Sequence, residues 1–399
     1  MMRKRVILLV IAGGVILLGG FVTTVWVIWG EHMKSLWGGG YVPVGDLPSY
    51  GRPYPIGTVI QVPASPPPAG SDPALVRILY PFGKNVVIPN PAPVTAIAES
   101  PNGDYLAWGD DAGNVFAWEV DGDKIVALND LKLGRSIEGV DRAARVLAIR
   151  IYDDRGGLCW MDLDGVVWEA QPRGGDEWSK RALHKREISR SATFTEDGFI
   201  SSTLQSGWTD EYALDKYDML TGRRLGTCKL YPPVKGSTHY PETMALSADE
   251  KLLGVVSKCN AGVVSMDDFK LVRSFGVTGG DTIAISPDGS RAAVRTVRRE
   301  LFVWDVSSGS LVHKPTHPPG SGGPLAFPSE TSLWFGAADR IHRLDLASGR
   351  TETVISGVYA SQMMFSRDRS RLYVGTRHGA LHVYRVPSES KVSSPPRGQ

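Results

Sequence analysis

Ile283-Ala284-Ile285-Ser286-Pro287-Asp288-Gly289 is followed by Arg291-Ala292-Ala293-Val294, Leu301-Phe302-Val303-Trp304-Asp305-Val306, Ser308-Gly309 and Leu311-Val312. Short apolar runs bounded by tight polar turns are the pattern of three or four antiparallel strands. The same unit opens at Ala98-Glu99-Ser100-Pro101-Asn102-Gly103, with Tyr105-Leu106-Ala107-Trp108 and Val115-Phe116-Ala117-Trp118 behind it. It returns as Met364-Phe365-Ser366-Arg367-Asp368, Leu372-Tyr373-Val374-Gly375 and Leu381-His382-Val383-Tyr384. The Asn-Gly and Asp-Gly turns have a physical reason, because tight hairpins need residues that accept positive φ.

Aligned on that first turn, the units fall at Pro101, Arg142, Glu196, Ala248, Pro287, Pro328 and Arg367, with gaps of 41, 54, 52, 39, 41 and 39. Seven units of about 42 residues, each with four short strands, predict an all-β, seven-bladed β-propeller. Asp218-x-x-Thr221-Gly222, Asp305-x-x-Ser308-Gly309 and Asp345-x-x-Ser348-Gly349 supply the hairpin before each outermost strand. The seventh unit ends at Val386 without an outer strand. An open last blade would expose an edge, so Leu75-Val76-Arg77-Ile78-Leu79-Tyr80 is expected to pair there and close the ring.

On these turns and the single Trp304-Asp305 pair, the chain resembles the WD40-like and YVTN-type β-propellers of bacteria. The resemblance covers about three-quarters of the chain and implies a fold rather than an activity. The Gly-His dipeptide of true WD40 repeats is absent, so their His/Asp networks are not carried over. The Asp-x-x-Thr-Gly repeats also resemble quinoprotein dehydrogenases. Those enzymes normally have eight blades with a docking tryptophan per repeat, which this chain does not.

Ahead of the repeats, residues 6–29 run 24 residues without a charge, directly after Arg3, Lys4 and Arg5. As a helix they span roughly 36 Å, enough for a hydrocarbon core of about 30 Å. A cleaved signal peptide has a shorter apolar core, about 7–15 residues, before its cleavage site. The basic residues place 1–5 in the cytoplasm and the rest on the far side of a bacterial inner membrane, the periplasmic side. Trp26 and Trp29 sit at the exit interface. Gly19 with Thr23 and Gly20 with Thr24 give small-x-x-x-small spacings suited to close helix packing. Residues 30–73 read as a Pro/Gly-rich linker, 74–387 as the propeller, and 388–399 as a disordered polar tail.

Composition excludes several classes. Forty-four basic and 42 acidic side chains are well mixed at a net charge of +2, so no nucleic-acid footprint stands out. Three cysteines, Cys159, Cys228 and Cys259, are too few for a disulfide scaffold; buried thiols or one Cys228–Cys259 bridge are the alternatives. No nucleophile elbow, phosphate loop or zinc-ligand pair is present. His313 and His317 are interrupted by Pro315, and His378 and His382 flank Gly379 within a hairpin. Asp162-x-Asp164-Gly165 lacks the bidentate Glu of a calcium loop and reads as a turn. Asp110-Asp111 and Asp153-Asp154 are assigned to hairpins between second and third strands. No catalytic group, metal site, cofactor or small-molecule substrate is assigned.

The two long gaps are more informative. Residues 171–190 and 228–241 read as insertions joining the outer strand of one blade to the inner strand of the next, and so as neighbours on one face. Trp178, Lys180, Arg181, Lys185, Arg186, Tyr231 and Tyr240, with Arg173, would then form an aromatic and basic partner-binding patch. The expectation is a non-catalytic scaffold or accessory subunit of a multi-subunit membrane complex, respiratory, photosynthetic or envelope-building. The alternative is a periplasmic enzyme or ligand sensor using the central channel.

Overall fold

The computed structural model describes residues 58–61, 73–80, 92–120, 122, 125–128, 145–174, 177–185, 189–203, 212–231, 241–313 and 323–387. The expected membrane helix with its flanking Arg3, Lys4, Arg5, Trp26 and Trp29, the Gly19, Gly20, Thr23 and Thr24 spacings, and the tail 388–399 lie outside them. Among the described residues no helix is long and apolar enough to cross a membrane.

The described residues form 29 strands in seven antiparallel sheets. It starts with β1 (Thr58–Gln61) and β2 (Ala74–Tyr80). Blade one is β3 (Val94–Glu99), β4 (Tyr105–Asp110), β5 (Val115–Glu119) and β6 (Ile125–Ala127). Blade two is β7 (Val146–Ile151), β8 (Leu158–Asp162), β9 (Val166–Gly174) and β10 (Glu177–Lys185). Blade three is β11 (Ser189–Thr195), β12 (Gly198–Thr203), β13 (Tyr212–Asp218) and β14 (Arg224–Tyr231). Blade four is β15 (Pro241–Leu246), β16 (Leu252–Ser257), β17 (Asn260–Ser265) and β18 (Lys270–Gly276). Blade five is β19 (Gly280–Ile285), β20 (Arg291–Thr296), β21 (Leu301–Asp305) and β22 (Leu311–His313). Blade six is β23 (Leu325–Ser329), β24 (Ser332–Ala337), β25 (Arg340–Asp345) and β26 (Thr351–Ser356). Blade seven holds β27 (Ala360–Phe365), β28 (Arg371–Thr376) and β29 (Leu381–Arg385).

Ring closure follows the expected route. β2 pairs antiparallel with β29, Leu79 opposite Leu381 and Leu75 opposite Tyr384. Each inner strand contacts the next, and β27 contacts β3, so the ring is continuous. One strand is additional: Thr58–Gln61, inside the stretch read as linker, pairs with Arg77–Tyr80 and makes blade seven five-stranded. Prolines at 53, 55 and 63 frame a Thr-Val-Ile-Gln run whose strand propensity was masked by its surroundings.

Blades pack face to face, so their middle strands are covered on both sides. β20, Arg-Ala-Ala-Val-Arg-Thr, is buried from its second residue onward, whereas the outer strand β18 alternates. Turn chemistry repeats with the strands. The hydroxyl of Ser100, Ser247, Ser286 and Ser366 accepts from the backbone N–H of Tyr105, Leu252, Arg291 and Arg371 at 2.8–3.0 Å. It donates in turn to Asn102, Asp249, Asp288 and Asp368 at 2.6–2.7 Å. That double use explains the Ser-x-Asp spelling of the turn.

Blade two departs from the sequence alignment. Its first turn is Tyr152–Gly157, closed by Tyr152 N–H on Gly157 O at 2.9 Å. Asp153, not Arg142, is therefore the counterpart of Pro101, and the gaps there are 52 and 43. The pair Asp153-Asp154 consequently lies between first and second strands; Asp110-Asp111 lies between second and third, as expected.

Candidate functional site

Alternating strand directions put the first-to-second and third-to-outer turns of all blades on one face, and the remaining connections on the other. This corrects the predicted patch. Residues 171–185 are not an inter-blade loop: they complete β9 and form β10, the outer hairpin of blade two. Their Trp and Lys-Arg alternation extends a ladder, Lys180 opposite Ala170 and Arg181 opposite Glu169. Trp178 sits at the end of β10 near the third-to-outer turns. Lys185 and Tyr231 sit at strand ends on the opposite face, roughly 20 Å along the strand direction. Arg186 and Tyr240 lie outside the described residues. The described members of the set are therefore spread over both faces of the ring.

Lys180 and Arg181 are engaged within the blade. Trp160 and Trp168 pair across β8 and β9 with parallel rings 6.1 Å apart, and the Lys180 ammonium lies 4.3 Å from the Trp168 centroid and 5.2 Å from that of Trp160. This is a cation–π arrangement. On the other face of the sheet Arg181 pairs with Glu169 at 2.5 Å, and Glu169 accepts the Tyr152 hydroxyl at 3.0 Å. Cys159 lies in the same row, its thiol pushed up to about 12 by burial and the Glu169 charge. Cys159, Cys228 and Cys259 are in no disulfide, so the Cys228–Cys259 bridge is not formed.

The hub's polar groups are used between blades. Side-chain hydroxyls at the start of four inner strands bond to backbone carbonyls of the next blade: Thr95 to Val146 at 2.7 Å, Ser191 to Pro241 at 3.0 Å, Thr243 to Asp281 at 2.6 Å and Ser361 to Val94 at 2.8 Å. At the strands' other end, Glu99 accepts from Arg367 N–H at 2.7 Å and from the Tyr373 hydroxyl at 2.9 Å. Glu250 accepts from Glu196 N–H at 2.8 Å and pairs with Arg150 at 2.6 Å. Arg367 and Glu196 occupy the turn position that is Pro101, Pro287 or Pro328 elsewhere. In these two turns the N–H that proline would lack is satisfied by a carboxylate of the following blade. Only that one substitution in the repeat signalled these two acids. Burial raises the Glu99 carboxyl, against both hydrogen bonds.

The remaining candidates are turn groups. Asp110 accepts from Ala112 N–H, Asn114 N–H and the Asn114 amide at 2.8–2.9 Å. Asp162 accepts from Val166 N–H at 2.9 Å and the Trp168 indole at 3.0 Å, as read from sequence. His313 ends β22, and His317 lies outside the described residues. Among the described residues no group of three or more His, Cys, Asp and Glu side chains is placed to hold a metal.

His382 is half-buried beside Tyr384, its Nδ1 3.3 Å from the hydroxyl. Burial, aided by the His378 charge, lowers it from 6.5 to about 4. The native ring is thus neutral where an unfolded one begins to take up a proton. Its contribution to stability is complete above about pH 6.5 and is lost as pH falls toward 4, up to about 3 kcal/mol. His382→Gln is expected to remove that slope. The check is the change in urea midpoint between about pH 7 and pH 4.5, compared with wild type, because buried acids such as Glu99 slope the other way.

No protein-family model matches the chain, and no curated protein matches it. The fold is shown by the structure itself.

Proposed function

We propose that this chain is a membrane-anchored, non-catalytic propeller of the bacterial WD40-like kind. In this reading it serves as an interaction scaffold or accessory subunit of a multi-subunit inner-membrane complex. The observation that carries the reading is the use of the hub's polar groups. Glu99, Arg150 and Glu250 are spent on bonds between blades, as are the four inner-strand hydroxyls. A ring stapled this way is a rigid platform, and rigid platforms suit recognition by their outer surfaces. The sequence of residues 6–29, with basic residues ahead of it, supports an anchor with the propeller on the periplasmic side.

Gentle detergent extraction of the native membrane, followed by size separation and mass spectrometry, tests this. The expected result is a defined set of membrane subunits at fixed ratio to the chain. A lone monomer overturns the scaffold reading and favours a ligand for the central channel. A reporter joined after Gln399 is expected to be active outside the cytoplasm only; cytoplasmic activity overturns the topology.

A further inference from the structure

Blade four breaks the turn chemistry of its neighbours at one residue. The hairpins before the outer strands of blades three, five and six end in Gly222, Gly309 and Gly349, with φ of 62°, 73° and 70°. Blade four has Phe269 at that position, with φ of 50°. A left-handed conformation is uncommon outside glycine and exceptional for a bulky residue. In the sister turns the first-position aspartate accepts from the fourth-position hydroxyl: Asp218 from Thr221 at 2.6 Å, Asp305 from Ser308 at 2.9 Å, Asp345 from Ser348 at 2.7 Å. In blade four the pair is exchanged, with Ser265 donating to Asp268. The turn carries an aromatic ring where its neighbours have none, and that half-buried ring packs against the seam cluster that includes Leu214, Cys228, Leu253 and Val264.

That ring reaches across the seam toward blade three. There β14 has Gly226, and a Cβ on it would lie 3.4 Å from Phe269 Cδ1. Phe269, Gly226, Leu225, Met266, Asp267 and Lys216 are among the residues bounding a groove of about 320 Å³. Leu225 is 44% exposed, and Leu220, on the same face, is 72% exposed. The groove's charges are unequal. Lys216 is held by Asp197 at 2.9 Å, and Asp268 by Lys270 at 3.6 Å. Asp267 is exposed and makes no ion pair with the described residues. The uncompensated charge on the lip is therefore negative.

We propose that this groove between blades three and four receives an aliphatic side chain from an extended segment of a partner protein, whose adjacent Lys or Arg faces Asp267. The inference rests on the scaffold reading and adds to it a location and a partner chemistry. A strained aromatic beside a glycine-floored slot has the form of an interface anchor. The acid on its rim selects against acidic segments.

The test uses the full chain in its native membrane, carrying a photo-activatable phenylalanine at position 225 or, as control, at position 297. Val297 is 64% exposed in the second-to-third turn of blade five, on the opposite face. The expected result is a light-dependent product from position 225, whose partner segment holds an aliphatic residue beside Lys or Arg. Phe269→Gly and Asp267→Lys should each lower its yield about tenfold or more. Changing the partner's basic residue to Asp should restore the Asp267→Lys product. Phe269→Gly puts into blade four the residue its sister turns use, so an unchanged urea midpoint keeps the comparison free of folding loss. An acidic partner segment, a yield indifferent to Phe269→Gly, or a product joining position 225 to residues 388–399 of this chain overturns the groove assignment. Products from position 297 alone overturn the groove and leave the scaffold standing. No product from either position, with a lone monomer on extraction, removes both.

Discussion

Leu79→Asp is expected to open the ring and to destabilise the chain by about 4 kcal/mol or more, a large share of the usual 5–15 kcal/mol. Leu79 is fully buried on β2, opposite Leu381. It belongs to an apolar cluster that joins blade seven to blade one through Val94, Trp108, Phe116 and Tyr373. Truncating a buried leucine costs about 2–5 kcal/mol, and an uncompensated buried carboxylate adds to that. Two further losses follow if β2 detaches. Arg77 leaves the Trp118 ring, from which its guanidinium carbon is 5.3 Å, and β29 becomes an open edge. Leu163→Asp is the matched control, since Leu163 is 37% exposed in a turn of blade two and should change stability by about 0.5 kcal/mol or less. Urea unfolding of the two variants is the measurement. Equal midpoints would mean that β2 only decorates a ring already closed by blades one and seven.

The closing strand is legible in the sequence, because a seventh unit lacking its outer strand leaves one candidate partner at the other end of the repeats. The same logic of counting repeats misplaced Arg142. Blade two spells its first turn Tyr-Asp-Asp-Arg-Gly-Gly rather than Ser-Pro-Asp-Gly, and the alignment slipped to the wrong side of β7. The same slip displaces the blade's boundaries, so that a nine-residue outer strand reads as an insertion in the sequence. Glu99 and Glu250 were invisible for a different reason. Each acts on the turn of a neighbouring blade, and single-chain periodicity says nothing about which side chain crosses a seam. Phe269 was legible in principle, as the one turn whose fifth residue is neither Gly nor small. It needed the register of β17 and β18 to be recognised as the glycine position.

Arg295→Ala is expected to cost about 2–5 kcal/mol through the cavity it leaves, and the cost should depend on pH in a stated direction. At the fifth position of the second strand, blades one, six and seven carry Gly109, Gly336 and Gly375. A Cβ on Gly109 or Gly375 would lie 2.5–2.6 Å from Val146 or Val94 of the adjoining blade. Glycine there is what lets the inner strands close on one another. Blade five has Arg295 instead, only 1% exposed. Its guanidinium crosses the seam and donates to the carbonyl of Gly336 in blade six. Burial lowers the arginine's hold on its proton, and the Asp281 charge opposes that. Asp281 is itself raised by burial, against the Thr282 hydroxyl at 2.8 Å and the Arg295 charge. Alanine would leave a hole, take a donor from the Gly336 carbonyl and remove the positive charge near the half-buried Asp281 carboxylate. Arg295→Met separates these terms, since it fills the hole but not the charge. With the cation gone, the native Asp281 pKa rises further above its unfolded value of 3.8. The pH-dependent part of the instability of Arg295→Met is then absent below about pH 3.8 and grows as pH rises through the native value. Asp281→Asn in the same background is expected to remove that pH-dependent part. A loss that is the same at about pH 3.5 and pH 7 would assign Arg295 to packing and the Gly336 hydrogen bond alone, with Asp281 a bystander.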